Sequence, residues 1–270
     1  MISDVLLVRL IVSFMVGAVV VAFVTALADL YGEGPAGFMG GLPTAVAVNL
    51  LSIGVTQSTS AAVQATTLFP LGFGSTFAFL LFYTFPSKLP FRARMTVALG
   101  IWFAVNASIA AWAPDDFVFS VAGGFLFCLV ALLARRRIAT GRPSIADSKP
   151  NARLTALRGI LGGTVVISVV TLSLLSGPLV GGVFSAAPAI WSSALYVTSR
   201  SRGLEFSRSL TWTFMHASIL TVIPYGVAVR YFFPAYGIWI GTLLSYMALT
   251  PLAYLAWRVA NYKWDRNRPS

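Results

Sequence analysis

The sequence predicts an all-α integral membrane protein with nine transmembrane helices, arranged as two four-helix inverted repeats joined by a linker helix. Three observations lead to this prediction. The chain of 270 residues is 57% apolar and only 10% charged, whereas a soluble domain carries about 25% charged residues, so lipid is its natural solvent. Nearly all of its cations lie between long apolar runs, and a Gly-Pro pattern occurs once in each half of the chain.

Nine apolar runs are long enough, or nearly so, to cross a bilayer. A hydrocarbon core about 30 Å thick needs about 20 apolar residues of helix. Helix is the expected conformation, because lipid cannot satisfy open backbone groups. The predicted spans are 8–28, 36–56, 61–85, 95–112, 117–134, 159–176, 179–199, 209–229 and 232–257.

The positive charges predict how these spans are oriented. All of the 19 Lys and Arg residues except Arg9 and Arg230 follow span 3, 5, 7 or 9, including seven between Arg135 and Arg158. Cytoplasmic loops collect Lys and Arg, so we expect an inner-membrane protein with its N-terminus outside and its C-terminus in the cytoplasm. The net charge of +11 is then a topology signal and a source of lipid headgroup contacts, rather than a nucleic-acid surface.

The two halves repeat a similar pattern. The sequence GEGPAGFMGGLP at 32–43 resembles SGPLVGGVFSAAP at 176–188, with an offset of 145 residues, the difference between 188 and 43. This offset pairs Gly37 with Gly182, Pro43 with Pro188 and Thr66 with Thr211. Five spans separate the two starts, so two halves of one fold would lie in opposite orientations, as in many secondary transporters. The predicted units are a first repeat at 1–113, a linker helix with a basic loop at 114–152, and a second repeat at 153–270.

The second half carries a recognisable set of residues. A glycine-led span with a proline is followed by a basic-acidic turn and by a span ending near Ile-Pro-Tyr. The matching residues are Pro188, Arg202, Gly203, Leu204, Glu205, Arg208, Ile223, Pro224 and Tyr225. In this pattern the region of about 153–257 resembles the GlpM family of small bacterial inner-membrane proteins. The resemblance implies a fold and a membrane location, and it fixes no chemical activity.

The first half departs from this pattern at the equivalent turn. Gln57, Ser58, Ser60 and Val63 stand there, without any charge. Under the inverted arrangement this turn lies outside, where positive charge would oppose the orientation rule. The absence of charge is therefore what an inverted copy predicts.

Several residues are candidates for a functional site. Pro43 and Pro188 remove backbone hydrogen bonds inside spans 2 and 7, which points either to a central site built from broken helices or to close packing through small residues. The polar residues Asn49, Gln64 and Ser192 lie in apolar spans and either line a pathway or hold helices together.

The turn between spans 7 and 8 offers a second candidate site at Arg202, Glu205 and Arg208. Glu205 and Arg208 are three residues apart and share one helix face. Two interpretations remain open: a capped helix end at the membrane interface, or a gating ion pair or anion site.

The sequence does not favour an enzyme. It has one cysteine and one histidine, and no metal-ligand, nucleotide-binding or catalytic motif, so we expect no cofactor. The first functional hypothesis is a small secondary transporter or flippase with a site between inverted halves for a small solute or amphiphile. The alternative is a non-transporting membrane subunit that supports envelope or polysaccharide biosynthesis through contacts with other membrane proteins.

Overall fold

The computed structural model describes residues 4–31, 42–85, 88–138, 152–201 and 203–265. Across these residues the regular secondary structure is entirely α-helical. The helices are α1 (Asp4–Tyr31), α2 (Thr44–Thr56), α3 (Thr59–Ala65), α4 (Phe69–Thr84), α5 (Phe91–Trp112), α6 (Phe117–Arg136), α7 (Ala152–Ser176), α8 (Pro178–Phe184), α9 (Ala189–Ser201), α10 (Leu204–Ile219) and α11 (Val222–Asp265).

The apolar helices form a membrane-embedded bundle. Within the described residues, six helical stretches are long and apolar enough to cross a membrane, or seven if α3 and α4, which bend by 49°, count as one. Large apolar side chains such as Val19, Phe103 and Leu126 point outward and are 58–62% exposed. Lipid tails are the solvent that suits this surface.

The long helices α1 and α7 cross through glycines. A methyl group at Gly17 would lie 2.6 Å from Val166 Cγ2, and one at Gly162 would lie 2.5 Å from Val21 Cγ2. The contact positions rise along α1 as they fall along α7, so the two helices run antiparallel. The two contacts are also reciprocal, because the offset of 145 residues carries Gly17 to Gly162 and Val21 to Val166.

The order of helices repeats along the chain. Each half has a long helix, a 13-residue helix that follows a proline, and then a further helix after a short turn. The offset of 145 residues places four helix boundaries of the first half on boundaries of the second: Tyr31 on Ser176, Thr44 on Ala189, Thr56 on Ser201, and Thr59 on Leu204. Four helix boundaries of the two halves therefore coincide at the offset that the sequence pattern indicated.

Helix α11 folds back on itself at Gly237. The φ of this residue is 74°, a conformation that glycine adopts without a steric penalty. The ring centroids of Tyr225 and Tyr246 are only 5.0 Å apart, whereas a straight helix would separate these positions by about 30 Å. The sequence predicts a turn at residues 230–231, between the last two spans. These two residues are helical, and the chain turns at Gly237 instead.

Three other predicted spans are interrupted. The predicted span 61–85 breaks between α3 and α4, just before Pro70, which cannot donate a backbone hydrogen bond. The predicted span 209–229 breaks at Leu220 and Thr221, before Pro224. The predicted span 179–199 divides into α8 and α9 immediately before and after residues 185–188. In the predicted span 36–56, α2 begins after Pro43, and residues 36–41 lie outside the described part of the chain.

Hydrogen bonds from arginines mark the two ends of the bundle. At the end that we call the Arg230 end, Arg230 contacts Thr67 and the Phe117 ring. At the opposite Arg208 end, Arg208 donates to the Thr84 carbonyl at the end of α4. Successive long helices run from one end of the bundle to the other and back. Long helices that follow each other in the sequence are therefore antiparallel.

The close approach of α8 to α3 gives a prediction about stability. A methyl group at Gly182 would lie 1.8 Å from the carbonyl oxygen of Ala65, whereas one at Gly100 would meet nothing within 4 Å. We expect Gly182→Ala to lower the free energy of unfolding by about 1–3 kcal/mol through overpacking. The matched variant Gly100→Ala should change it by less than about 1 kcal/mol. Unfolding in mixed micelles with increasing SDS, followed by circular dichroism, measures both, and equal stabilities would contradict the close approach.

Candidate functional site

A small cavity lies where the two proline-led helices begin. It has a volume of about 40 Å³, which is room for roughly three water molecules. Its lining residues come from both halves: Leu42, Pro43, Ala45, Val46, Phe73, Thr76, Ala186, Ala187, Pro188, Ile190, Trp191 and Val222. The two prolines predicted to interrupt spans 2 and 7 therefore border the same space, which we call the central cavity.

The central cavity is built from equivalent positions of the two halves. Eight of its twelve lining residues form four pairs at the offset of 145: Leu42 with Ala187, Pro43 with Pro188, Ala45 with Ile190, and Val46 with Trp191. The central cavity therefore lies between the two halves, and each half contributes residues from the start of its 13-residue helix.

Polar side chains of the first half hold the break between α8 and α9. The Asn49 side chain donates to the Ser185 carbonyl at 2.8 Å, and the Thr76 hydroxyl donates to the Ala186 carbonyl at 2.9 Å. Both bonds are buried, and they satisfy backbone groups that the helix break leaves open. The equivalent of Asn49 in the second half is Ala194, whose side chain has no donor, so this support is not reciprocated.

Aromatic rings form one wall of the central cavity. Trp191 packs edge-on against Phe73 at 6.1 Å between ring centroids and stacks on Phe214 at 5.9 Å. Thr76 supplies the only side-chain hydroxyl in the lining, and no lining residue is charged. Among the described residues, no group of three or more His, Cys, Asp or Glu side chains could hold a metal ion. The cavity is therefore suited to an uncharged or apolar group.

The structure separates the polar residues that the sequence singled out. Asn49 is buried beside the break but does not line the central cavity, and Gln64 lines a separate cleft at the Arg230 end. Ser192 is half-buried one residue after Trp191. Within the described part of the chain, Asn49 Oδ1 and Ser192 Oγ are buried polar atoms without a hydrogen-bond partner.

The second candidate site contains a buried arginine that joins the two halves. Arg208 Nε and Nη2 donate to the Thr84 carbonyl at 2.9 and 2.7 Å, and Nη1 pairs with Glu205 at 2.5 Å. Arg208 is buried whereas Glu205 is exposed. The third predicted member, Arg202, lies outside the described residues.

Two further arginines at this end serve as hydrogen-bond donors, although the sequence indicated them only as topology signals. Arg135 at the end of α6 donates to the Thr211 hydroxyl at 3.1 Å and to the Arg208 carbonyl at 3.3 Å. Arg94 donates to the Tyr83 carbonyl at 2.8 Å. Both side chains are buried. The C-terminal carbonyls of α4 attract the donors of Arg94 and Arg208 because they carry the negative end of the helix dipole.

We refer to the set of Arg94, Arg135, Arg208 and Thr84 as the arginine lock. It ties α4 of the first half, α6 of the linker and α10 of the second half together at one end of the bundle. One feature of the sequence could have indicated the arginine lock. Its arginines lie at the ends of apolar spans, next to helix carbonyls that have no partner within the helix.

The arginine lock gives a prediction about stability. Arg208→Gln removes a charged donor from a buried carbonyl, so we expect the free energy of unfolding to fall by about 1.5–3 kcal/mol. The matched control is Arg200→Gln, because Arg200 is exposed and lies only over the Tyr196 ring. The same SDS unfolding measurement compares the two, and equal losses would show that Arg208 contributes no more than a surface cation.

Comparison with known proteins finds no matching family model, no matching curated protein and no matching solved structure. The resemblance of the second half to the GlpM family therefore stays a prediction that rests on the residues of the turn and its flanking spans.

Proposed function

We propose that the protein is a small secondary transporter or flippase whose substrate passes through the central cavity. One observation carries the proposal: four pairs of residues at the offset of 145, including Pro43 and Pro188, line one cavity where α2 and α9 begin. In transporters built from inverted repeats, substrates bind near the midplane, at the repeat interface, between discontinuous helices.

A count of crossings supports nine spans. The stretch Leu204–Ala256 has 53 residues and turns back at Gly237, so it accounts for two crossings of a hydrocarbon core about 30 Å thick. The bent pair α3–α4 adds one crossing to the other five long stretches. The apolar 13-residue helix α2 supplies the ninth.

The antiparallel crossing of α1 and α7 supports inversion of the repeats. These helices are the first helix of each half, and their reciprocal glycine contacts give them opposite directions through one bundle. Two related helices that cross a membrane in opposite directions belong to repeats of opposite orientation.

The distribution of charge supports an orientation with the Arg208 end in the cytoplasm. The arginine lock lies at that end, while Arg9 and Arg230 bond to helix carbonyls at the other. The positive-inside rule then places the N-terminus outside and the C-terminus in the cytoplasm of a bacterial inner membrane.

The lining of the central cavity limits the class of substrate. No charged side chain reaches it, and its wall is aromatic and aliphatic. A small neutral solute or the uncharged part of an amphiphile fits this environment, whereas an ion would pay a large desolvation cost. The arginine lock closes the Arg208 end, and alternating access requires it to open.

Cysteine accessibility tests the inverted arrangement. The native Cys128 is fully buried, so an impermeant maleimide should leave the unmodified protein unlabelled in intact cells. We expect Ser58→Cys to be labelled from outside and Arg200→Cys to be labelled only after the cells are opened. Labelling of both positions from the same side would overturn the inverted repeat.

Blocking the central cavity tests transport. The probes are a panel of radiolabelled neutral metabolites trapped in proteoliposomes, together with a fluorescent phospholipid whose flipping is read by dithionite quenching. We expect the unmodified protein to move at least one probe faster than empty vesicles do. Ala187→Trp should reduce that rate to the background, because the ring fills the cavity.

The matched control is Ala107→Trp, which adds the same ring to an outward-facing position of α5 and should leave the rate unchanged. Failure of the unmodified protein to move any probe would favour the non-transporting subunit instead. Equal rates for both variants would show that the pathway avoids the central cavity.

A further inference from the structure

An open cleft lies at the Arg230 end, apart from the central cavity. Its volume is about 550 Å³. The lining residues are Thr59, Ser60, Val63, Gln64, Thr67, Arg230 and Pro234. Five of them belong to α3 or to the break after it, and two to α11. We call this space the Arg230 cleft.

The relation between the two halves explains why the Arg230 cleft is empty of side chains. At the offset of 145, Val63 takes the position of Arg208, and Thr67 takes the position of Trp212. In the second half these large side chains are part of the packed Arg208 end, where Arg208 reaches across to α4. Valine and threonine are too short to fill the same space, which leaves the cleft open in the first half.

Arg230 lines this space and keeps donors that no described residue uses. Its Nη1 donates to the Thr67 hydroxyl at 3.1 Å and lies 3.3 Å from the Thr66 hydroxyl. All of its hydrogen bonds to described residues use Nη1, which leaves Nη2 and Nε available. The guanidinium also lies 4.3 Å from the centroid of the Phe117 ring, a cation–π contact that fixes its orientation.

The remaining polar groups of the Arg230 cleft suit an anion. The Gln64 amide and the Thr59 and Ser60 hydroxyls can each donate a hydrogen bond, and no carboxylate lines the cleft. A guanidinium with two free edge donors binds phosphate oxygens in a bidentate geometry.

Exposed aromatic residues place the Arg230 cleft at the level of the lipid headgroups. Tyr231 and Tyr236 lie on the same helical segment as Arg230 and are 64% and 55% exposed, and Trp239 just after the turn is 67% exposed. Tyr and Trp collect at the membrane–water interface. Phosphate groups of lipids and phosphate in solution both reach this depth.

We propose that the Arg230 cleft binds a phosphate group through Arg230, supplied either by a phospholipid headgroup or by free phosphate. The site lies outside the central cavity, and its binding does not depend on the transport proposed above. Binding would place the anion beside α3 and α11, which meet at this end.

The first arm of the test uses inorganic phosphate. Equilibrium dialysis of the detergent-purified protein against radiolabelled phosphate, at constant ionic strength, measures free-anion binding. The second arm uses lipid. Native mass spectrometry compares retention of phosphatidylglycerol with retention of diacylglycerol carrying the same acyl chains, which lacks the phosphate.

Three variants decide the outcome of both arms. Arg230→Gln removes the guanidinium, and Val63→Trp fills the Arg230 cleft with a large uncharged ring. We expect each to weaken binding by at least about tenfold. The control Arg9→Gln removes one cation that contacts a helix carbonyl at the same end and should retain binding.

Binding in the phosphate arm identifies a free anion as the ligand, and selective retention of phosphatidylglycerol identifies a lipid. The absence of binding by the unmodified protein in both arms would overturn the proposal, and so would unchanged binding by Arg230→Gln or by Val63→Trp. Because neither arm measures transport, an inactive central cavity leaves these outcomes unaffected.

Discussion

The crossing of α1 and α7 is the contact on which the rest of the arrangement depends. In lipid there is little hydrophobic gain from bringing two apolar helices together, so van der Waals contact between closely approaching backbones must stabilise the pair. Gly17 and Gly162 allow that approach, each against a valine of the other helix. Because the two contacts are reciprocal, the crossing also sets α1 and α7 antiparallel.

The position of the helix breaks follows from the same arrangement. A break exposes backbone groups that lipid cannot satisfy, so it is tolerated only where protein surrounds it. The interior between the two halves meets this requirement, and Asn49 and Thr76 donate to the carbonyls of Ser185 and Ala186 there. The central cavity thus lies where broken helices are least costly.

The sequence was sufficient for the apolar helices and for the interruption near Pro188, because hydropathy and proline act locally. It was insufficient for the turn at Gly237, since the residues around Arg230 and Tyr231 look like a polar gap although they remain helical. It also could not assign Arg94 and Arg135 to the arginine lock. Their roles depend on which carbonyls a distant helix end leaves open, and this is a property of tertiary packing. The sequence suggested a central site at Pro43 and Pro188, and both residues line the central cavity, but the aromatic wall around Trp191 depends on tertiary packing.

Under the proposed inverted repeat, the two ends of the bundle differ because the two halves differ in sequence. Two identical halves would make the inward-closed and outward-closed forms equal in free energy. Arg208 donates two hydrogen bonds to Thr84 at one end, and Val63 at the equivalent position cannot donate any. A charged hydrogen bond contributes about 1.5–3 kcal/mol, and about 3 kcal/mol moves a balanced equilibrium to roughly 99:1. The resting form of a transporter with this asymmetry would therefore be closed at the Arg208 end, and opening it requires a substrate or ligand that favours the other form.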